Sequence, residues 1–223
     1  FHLEYNNYIM KNIYSNILKV NKKNLFKAIK YLKKDEVIGI PTETVYGLAG
    51  NAYSAKSIKK IYKLKKRPKI NPLIIHYYSA NELLKDVKLD KRFYSLYNRF
   101  CPGPITFVLN KKNNSRVSKY ATSNLSTIAV RFPKHEVVRN ILKSLKFPLA
   151  MPSANKSSGI SPVDSKDVFE EFGKNLKLII DGGNCKIGIE STVVDLTGKV
   201  KILRPGIISG NKISKVLKKK ILL

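Results

Sequence analysis

The chain reads as an α/β fold, a mixed sheet covered by helices. Three observations predict it. Apolar spacing alternates between helical and strand periods along most of the 223 residues. The strand-like runs are short and apolar, closed by Pro, Gly or a polar residue. The last part of the chain carries strand patterns with no helix between them, which suggests antiparallel pairing there.

In chain order, Asn24 predicts the cap of a first helix with Leu25, Ala28, Ile29 and Leu32 on its inner face. Val37 to Ile40 is a buried strand ending at Pro41. Ser54 caps a second helix with Ile58, Ile61 and Tyr62 inward, and this helix delivers Lys65 to Arg67 near its C-terminal end. Cations there also suit the helix dipole. Leu73 to His76 is the next strand, Ser79 with Glu82 reads as a capping box, and Asp90 to Phe100 is helical. Cys101 to Pro104 reads as a turn, Ile105 to Leu109 as a strand, and polar Lys111 to Ser126 as a loop. Thr127 to Arg131 is a strand, Val137 to Leu145 a helix, Pro148 to Met151 a strand and Asp164 to Phe172 a helix. Strands at Leu178–Asp181, Thr192–Leu196 and Val200–Leu203 follow. The tail from Asn211 is a basic terminal helix or a frayed end.

A chain of this length buries a sizeable core, and one domain is expected: an N-terminal extension over 1–23, the main domain over 24–208 and a basic tail over 209–223. The longest apolar runs, such as Leu73-Ile74-Ile75, are too short to cross a bilayer, so no membrane partner is expected. Residues 1–9 lack the basic flank and apolar block of a secretory signal. The first Met is Met10. Either the start lies upstream or something has been removed; a cytoplasmic setting is expected, with an organelle address left open. Cys101 and Cys185 give no disulfide framework and no metal spacing, and His2, His76 and His135 are too scattered for zinc, so no protein-bound metal is expected.

The net charge of +28 admits two accounts. One is a nucleic-acid or polyanion partner, with weak, nonspecific RNA binding that falls with salt. The other is compositional drift in a Lys-, Asn- and Ile-rich chain whose lysines are spread along its whole length; it is preferred, because the aromatic-interleaved basic motifs of RNA modules are absent.

The informative segments lie elsewhere. Lys65-Lys66-Arg67-Pro68-Lys69-Ile70-Asn71 gathers cations and an amide in one turn before a strand, and Pro152-Ser153-Ala154-Asn155 follows another strand with a hydroxyl and an amide. Cations suit a polyphosphate, and short hydroxyl and amide side chains suit its oxygens and a nucleobase edge. Pro41 to Leu48 places Thr42, Glu43, Thr44 and Tyr46 just after a strand, where open α/β sheets collect ligands, although a plain strand-to-helix connection explains it equally. Thr127 and Arg131 share a strand face, and Arg131 is a carboxylate or phosphate clamp or a solvated strand end. His76 fits a structural hydrogen bonder better than a catalyst. Glu190-Ser191-Thr192 and Leu203-Arg204-Pro205-Gly206 offer polar contacts or simply end strands. No Walker loop, Gly-x-Gly-x-x-Gly, zinc-protease helix or nucleophile elbow occurs.

Together these segments resemble the YrdC-type threonylcarbamoyl-AMP synthase family. The resemblance runs through Ile40 to Leu48, Lys65 to Pro68 with Asn71 to Leu73, Pro102 to Thr106, Thr127 to Arg131, Pro152 to Asn155 with Ser161-Pro162, Glu190 to Asp195 and Leu203 to Gly206. The segments fall in the family's order across about residues 25 to 206. The resemblance implies a twisted, open mixed sheet covered by helices around a large electropositive cavity, and a reaction that joins L-threonine, bicarbonate and ATP into L-threonylcarbamoyl-AMP, releasing pyrophosphate. The product would feed N6-threonylcarbamoyladenosine formation in tRNA through tRNA-modifying transferase partners. By the same resemblance Lys65, Arg67, Asn71, Ser153, Asn155 and Ser161 contact the nucleotide, with Thr127 and Arg204 on the ATP side. Thr42, Thr44, His76, Arg131 and Ser191 form the threonine set, with Arg131 on the carboxylate. Lys65 and Arg67 take the catalytic role, stabilising departing pyrophosphate, with Mg2+ on the ATP. Met151 stands where many relatives carry a small or hydroxylated residue. The chain resembles the short, single-domain form, in which the cavity is closed from elsewhere. The alternative is a noncatalytic RNA-binding protein of the same fold. Hydrogenase-maturation carbamoyl transfer is less favoured, because its zinc-finger cysteines are missing.

Overall fold

The computed structural model describes residues 14–219 and 221. Residues 1–13 of the expected extension, and 220, 222 and 223 of the tail, lie outside them. Ten strands form one mixed sheet: β1 (Ile17–Lys19), β2 (Ile38–Ile40), β3 (Gly47–Asn51), β4 (Ile74–His76), β5 (Ile105–Asn110), β6 (Thr127–Arg131), β7 (Leu149–Ala150), β8 (Ile179–Asp181), β9 (Thr192–Asp195) and β10 (Lys201–Arg204). Their order across the sheet is β1-β8-β2-β3-β7-β4-β6-β5-β9-β10.

Seven helices cover it: α1 (Lys22–Lys33), α2 (Ala55–Lys65), α3 (Ala80–Leu83), α4 (Lys91–Phe100), α5 (Glu136–Lys143), α6 (Ser165–Phe172) and α7 (Gly210–Leu217). Side chains alternate across each strand, so the two faces bury different sets. Ile38, Ile40, Leu178 and Ile180 meet Ala28 and Leu32 of α1 and Val138 and Ile141 of α5. The other face packs Leu48, Ile75, Phe107 and Ile179 against α2, α3, α4, α6 and α7 through Ile58, Leu83, Phe93, Val168 and Ile213. The tail is therefore a docked helix through Leu217, with Ile213 fully buried.

Several local expectations need correction. Asn21, not Asn24, caps α1: its side chain accepts the Asn24 amide at 2.8 Å, while the Asn24 side chain donates to the Lys19 carbonyl at 2.8 Å. Ser54 caps α2 as expected. At α3 the capping box does not form: Ser79 makes no side-chain cap, and Glu82 reaches past it to accept from the Tyr78 amide at 3.3 Å. Segment 17–19, expected within the extension, adds the edge strand β1, parallel to β8. The late strands do not all pair with one another. β9 and β10 are antiparallel, but β8 crosses to the other half of the sheet and runs parallel to β1 and β2.

The largest omission is β3, which is read from sequence as a connection. Gly47-Leu48-Ala49-Gly50-Asn51 has little strand propensity, because glycine packs nothing and costs backbone entropy. Its neighbours require the small residues. A Cβ at Gly47 would lie 2.4 Å from Met151 Cγ, and one at Gly50 would lie 2.4 Å from Ser57 Oγ on α2.

Candidate active site

Strand register builds the floor of the site. β4 and β6 are parallel with His76 opposite Arg131, and β5 sets Thr106 opposite Arg131 on the other side. β5 also aligns Ile105 with Thr192, which brings Ser191 beside Thr106, hydroxyl to hydroxyl at 2.7 Å. His76, Arg131, Thr106 and Ser191 thus come from distant segments into one row at the strand ends.

The loop after β2 closes over this row. Thr42 Oγ donates to the Val45 carbonyl at 2.7 Å and accepts the Thr44 and Val45 amides at 3.1 and 3.2 Å, which fixes the turn. Both Thr42 and Thr44 are buried, and their hydroxyls lie 2.9 Å apart. Thr44 takes the functional direction, because its hydroxyl accepts from Arg131 Nη2 at 2.9 Å. The same nitrogen donates to Glu43 Oε1 at 2.8 Å, and both side chains are almost wholly buried. Glu43 Oε2 accepts the amides of Lys134 and His135 at 2.9 and 3.4 Å. Burial alone would raise the Glu43 carboxyl, but Arg131's charge and these donors hold it below the ordinary carboxylate value. Arg131 Nε is buried without a partner, a donor left over for something else. Burial first, then the Arg131 charge, pulls His76 well below its ordinary value, so the ring is uncharged at neutral pH.

The residues fall into two adjoining compartments. The inner one encloses about 550 Å³, mouth included; it is lined by Thr42, Thr44, His76, Arg131, Ser191 and Arg204, with Met151 beside Gly47. The outer one, about 900 Å³, is lined by Lys65, Lys66, Asn71, Asn155 and Ser161 among others. Arg67, Ser153 and Glu190 line both and mark the seam.

α2 ends with Lys66 in the left-handed conformation (φ 49°), which turns the chain so that Lys65 and Arg67 diverge. Lys65 points inward and is buried. Its Nζ donates to the Ser153 carbonyl at 2.7 Å, to the Asn155 carbonyl, and to Asn155 Oδ1 at 3.4 Å. It therefore fastens the 153–155 loop to the helix. Burial, then the nearby Arg67 charge, pulls its ammonium down to about 8, while the charges of Glu190 and Glu171 work the other way. Arg67 is half-exposed and braced by the carbonyls of Asn71 and Pro72, each at 3.1 Å. At the seam Glu190 pairs with Arg204 Nη1 and accepts from Ser161 at 3.1 Å. Arg204 also donates to Ser191 Oγ at 3.2 Å.

Every candidate residue except Thr127 lines one of the two compartments. Thr127 starts β6 opposite Asn110, on Arg131's face but a strand length from it. Arg204, expected with the nucleotide set, lines the inner compartment. Sequence reasoning assigned no role to Glu43, Glu190 or Thr106. A usable signal existed for the two carboxylates: only 15 of 223 residues are acidic, yet both lie within short polar segments next to strands.

A family model, Sua5_yciO_yrdC, described as "Telomere recombination", matches residues 30–206. The chain is 41% identical over 192 residues to a threonylcarbamoyl-AMP synthase of Pyrococcus abyssi, covering 85% of this chain and 56% of that one. It is 36% identical over 203 residues to a threonylcarbamoyl-AMP synthase of Bacillus subtilis, covering 90% and 58%. The chain thus spans little more than half the length of these curated relatives. The crystal structure of P. abyssi Sua5 complexed with L-threonine superposes with a TM-score of 0.89 at 38% identity, over 93% of this chain and 62% of that one.

Proposed function

The chain belongs to the Sua5/YciO/YrdC family, and from that premise we propose that it acts as a threonylcarbamoyl-AMP synthase. L-threonine and bicarbonate would supply a carbamate whose oxygen attacks the α-phosphorus of ATP. A new P–O bond forms, the bond from the α-phosphorus to the bridging oxygen breaks, and pyrophosphate leaves with the electron pair.

The observation that carries this reading is the division of charge between the compartments. In the inner one, away from Arg67 at the seam, the cations are matched, Arg131 with Glu43 and Arg204 with Glu190, and His76 is uncharged. A neutral, polar chamber of that kind suits a zwitterionic amino acid. Arg131 lines this compartment with only its Nη2 engaged by Glu43 and Thr44, which would leave guanidinium donors for the carboxylate. The outer compartment carries Lys65, Lys66 and Arg67, and Glu190, the one acidic residue in its lining, is already paired with Arg204, a balance suited to a triphosphate. The reacting oxygen and the α-phosphorus would meet at the seam beside Arg67 and Ser153. The protein's contribution would be alignment and neutralisation of leaving-group charge. Mg2+ would arrive on the triphosphate as part of the substrate. The product would pass to tRNA-modifying transferase partners, in a cytoplasmic setting.

Purified protein with ATP and Mg2+ should release pyrophosphate only when L-threonine and bicarbonate are both present. Release indifferent to threonine would refute the assignment.

A pH dependence follows from Lys65. In the fold its ammonium loses its proton near pH 8, against an ordinary 10.5 in the unfolded chain. Between those values the unfolded state binds the extra proton, so the Lys65 contribution to stability rises with pH. Triphosphate affinity should move the opposite way, falling about tenfold between pH 7 and 9 as the cation is lost. Calorimetric titration of ATP with the wild type and with Lys65→Met separates this group from the other lysines; parallel pH curves for the two would remove Lys65 from the account.

A further inference from the structure

Thr106 stands in the same row as the site without lining either compartment. It lies between two paired strands, opposite Arg131 on β6 and Val193 on β9, and none of it reaches solvent. A hydroxyl in that position costs desolvation that only a hydrogen bond offsets. Among the described residues its one partner is the Ser191 hydroxyl, at 2.7 Å. Ser191 does line the inner compartment, so the buried pair reaches the site through one of its two members.

The polarity of the pair follows from the other contacts of Ser191. Arg204 Nη2 donates to Ser191 Oγ at 3.2 Å, and the guanidinium also holds the Ser191 carbonyl through Nε and Nη2 at 3.1 and 3.0 Å. A guanidinium cannot accept, so Ser191 Oγ is the acceptor there. If Ser191 gave its own proton to Thr106, the Thr106 proton would be stranded where water does not reach. With Thr106 as the donor that proton is satisfied. Ser191 Oγ then accepts twice, both its lone pairs are filled, and its own proton is left for the compartment. The residue cannot turn away as a whole. The Thr192 amide donates to the Pro104 carbonyl at 3.1 Å, the Thr192 hydroxyl donates to the Ile208 carbonyl at 2.9 Å, and a Cβ on Gly206 would lie 2.5 Å from the Thr192 nitrogen.

We propose that Thr106 is a positioning residue, which fixes Ser191 as a one-way hydrogen-bond donor to a carboxyl-type oxygen of the amino-acid substrate. That oxygen belongs either to the carboxylate of threonine or to the carbamate formed on its amine, and both accept only. The inference rests on the proposed function for its substrate. A serine hydroxyl with a free lone pair would serve an ammonium group as well as an oxyanion. With both lone pairs occupied it turns the ammonium away, which selects one orientation of the amino acid.

The test is calorimetric titration of L-threonine, with and without bicarbonate, into the wild type and a short set of variants. Thr106→Val keeps the shape and removes the donor. It should weaken threonine binding about tenfold, raise the threonine requirement of pyrophosphate release to match, and leave turnover at saturating threonine within about twofold of normal. Thr106→Ser restores the donor and should bind within about twofold of the wild type. In a Ser191→Ala background Thr106→Val should cost nothing further, because it acts through the hydroxyl already removed. Thr106→Cys, a weaker donor, should fall between Val and Ser, and it takes the place of Thr106→Val if that variant does not fold. A loss seen without bicarbonate assigns the contact to the carboxylate, and a loss seen only with bicarbonate assigns it to the carbamate. Normal threonine affinity in a Thr106→Val protein that merely melts lower would overturn the proposal, as would equal losses with and without the Ser191 hydroxyl. Wild-type protein that binds no threonine and releases no threonine-dependent pyrophosphate is a different result, and it would sink the synthase reading itself.

Discussion

Arg131→Ala is expected to lower the stability of the fold by about 3–5 kcal/mol, because it strands a carboxylate that cannot reach water. Glu43 is buried, receives the guanidinium at 2.8 Å and holds two backbone amides. Without Arg131 its charge would lose its main partner while still fixing the turn at Lys134. Chemical denaturation reads this loss directly. The functional loss is separable: at temperatures where the variant remains folded, the threonine requirement should rise tenfold or more, with the ATP requirement much less affected. Equal changes for the two substrates would remove Arg131 from the amino-acid carboxylate. Adding Glu43→Gln should restore part of the stability, since the pair is coupled and the single losses do not add. It should not restore threonine affinity.

Lys65→Met is expected to reduce pyrophosphate release at least tenfold while keeping most of the side-chain volume. The ammonium group does two things. It contributes positive charge to the outer compartment, and it holds the carbonyls of Ser153 and Asn155 in place. Its removal leaves those oxygens short of a donor, at a cost of about 1–3 kcal/mol for each that water cannot reach. Ser153 and Asn155 would then lose their fixed positions along with the charge. The variant should show a higher ATP requirement as well as slower turnover, and a lowered melting temperature. A variant that melts lower but turns over at the normal rate would assign Lys65 to loop anchoring alone.

The strands and helices that were legible in the sequence were those whose pattern is carried by their own side chains. The helices with Ile58 and Ile61, or with Val138 and Ile141, advertise one apolar face each. β3 carries no such signal, because its glycines answer to Met151 and Ser57 on other segments. The placement of β8 likewise depends on which neighbour takes it, and that is a property of the whole sheet. Much the same holds for the site. The cation-rich turn and the Pro-Ser-Ala-Asn segment mark themselves by composition. Glu43 does not, because its meaning lies in the Arg131 guanidinium, 88 residues away along the chain. Lys65 was legible as a cation near a nucleotide, but not as the clamp on a loop 88 and 90 residues downstream.

The crossing of β8 has a consequence for how the chain is made. Ile17 pairs with Ile179, and Gly39 also stands opposite Ile179, its amide donating to the Leu178 carbonyl. β1 and β2 must therefore wait for nearly the whole length of the chain to emerge from the ribosome before their shared neighbour exists. Both compartments draw walls from the two ends of that interval, Thr44 with Ser191 and Lys65 with Ser161. During synthesis β1 stays unpaired and β2, joined only to β3, keeps its other edge open, the condition that favours wrong association and slow, non-local closure. The lysine-rich surface gives the nascent chain a way to tolerate that delay, since like charges keep incomplete copies apart until β8 arrives.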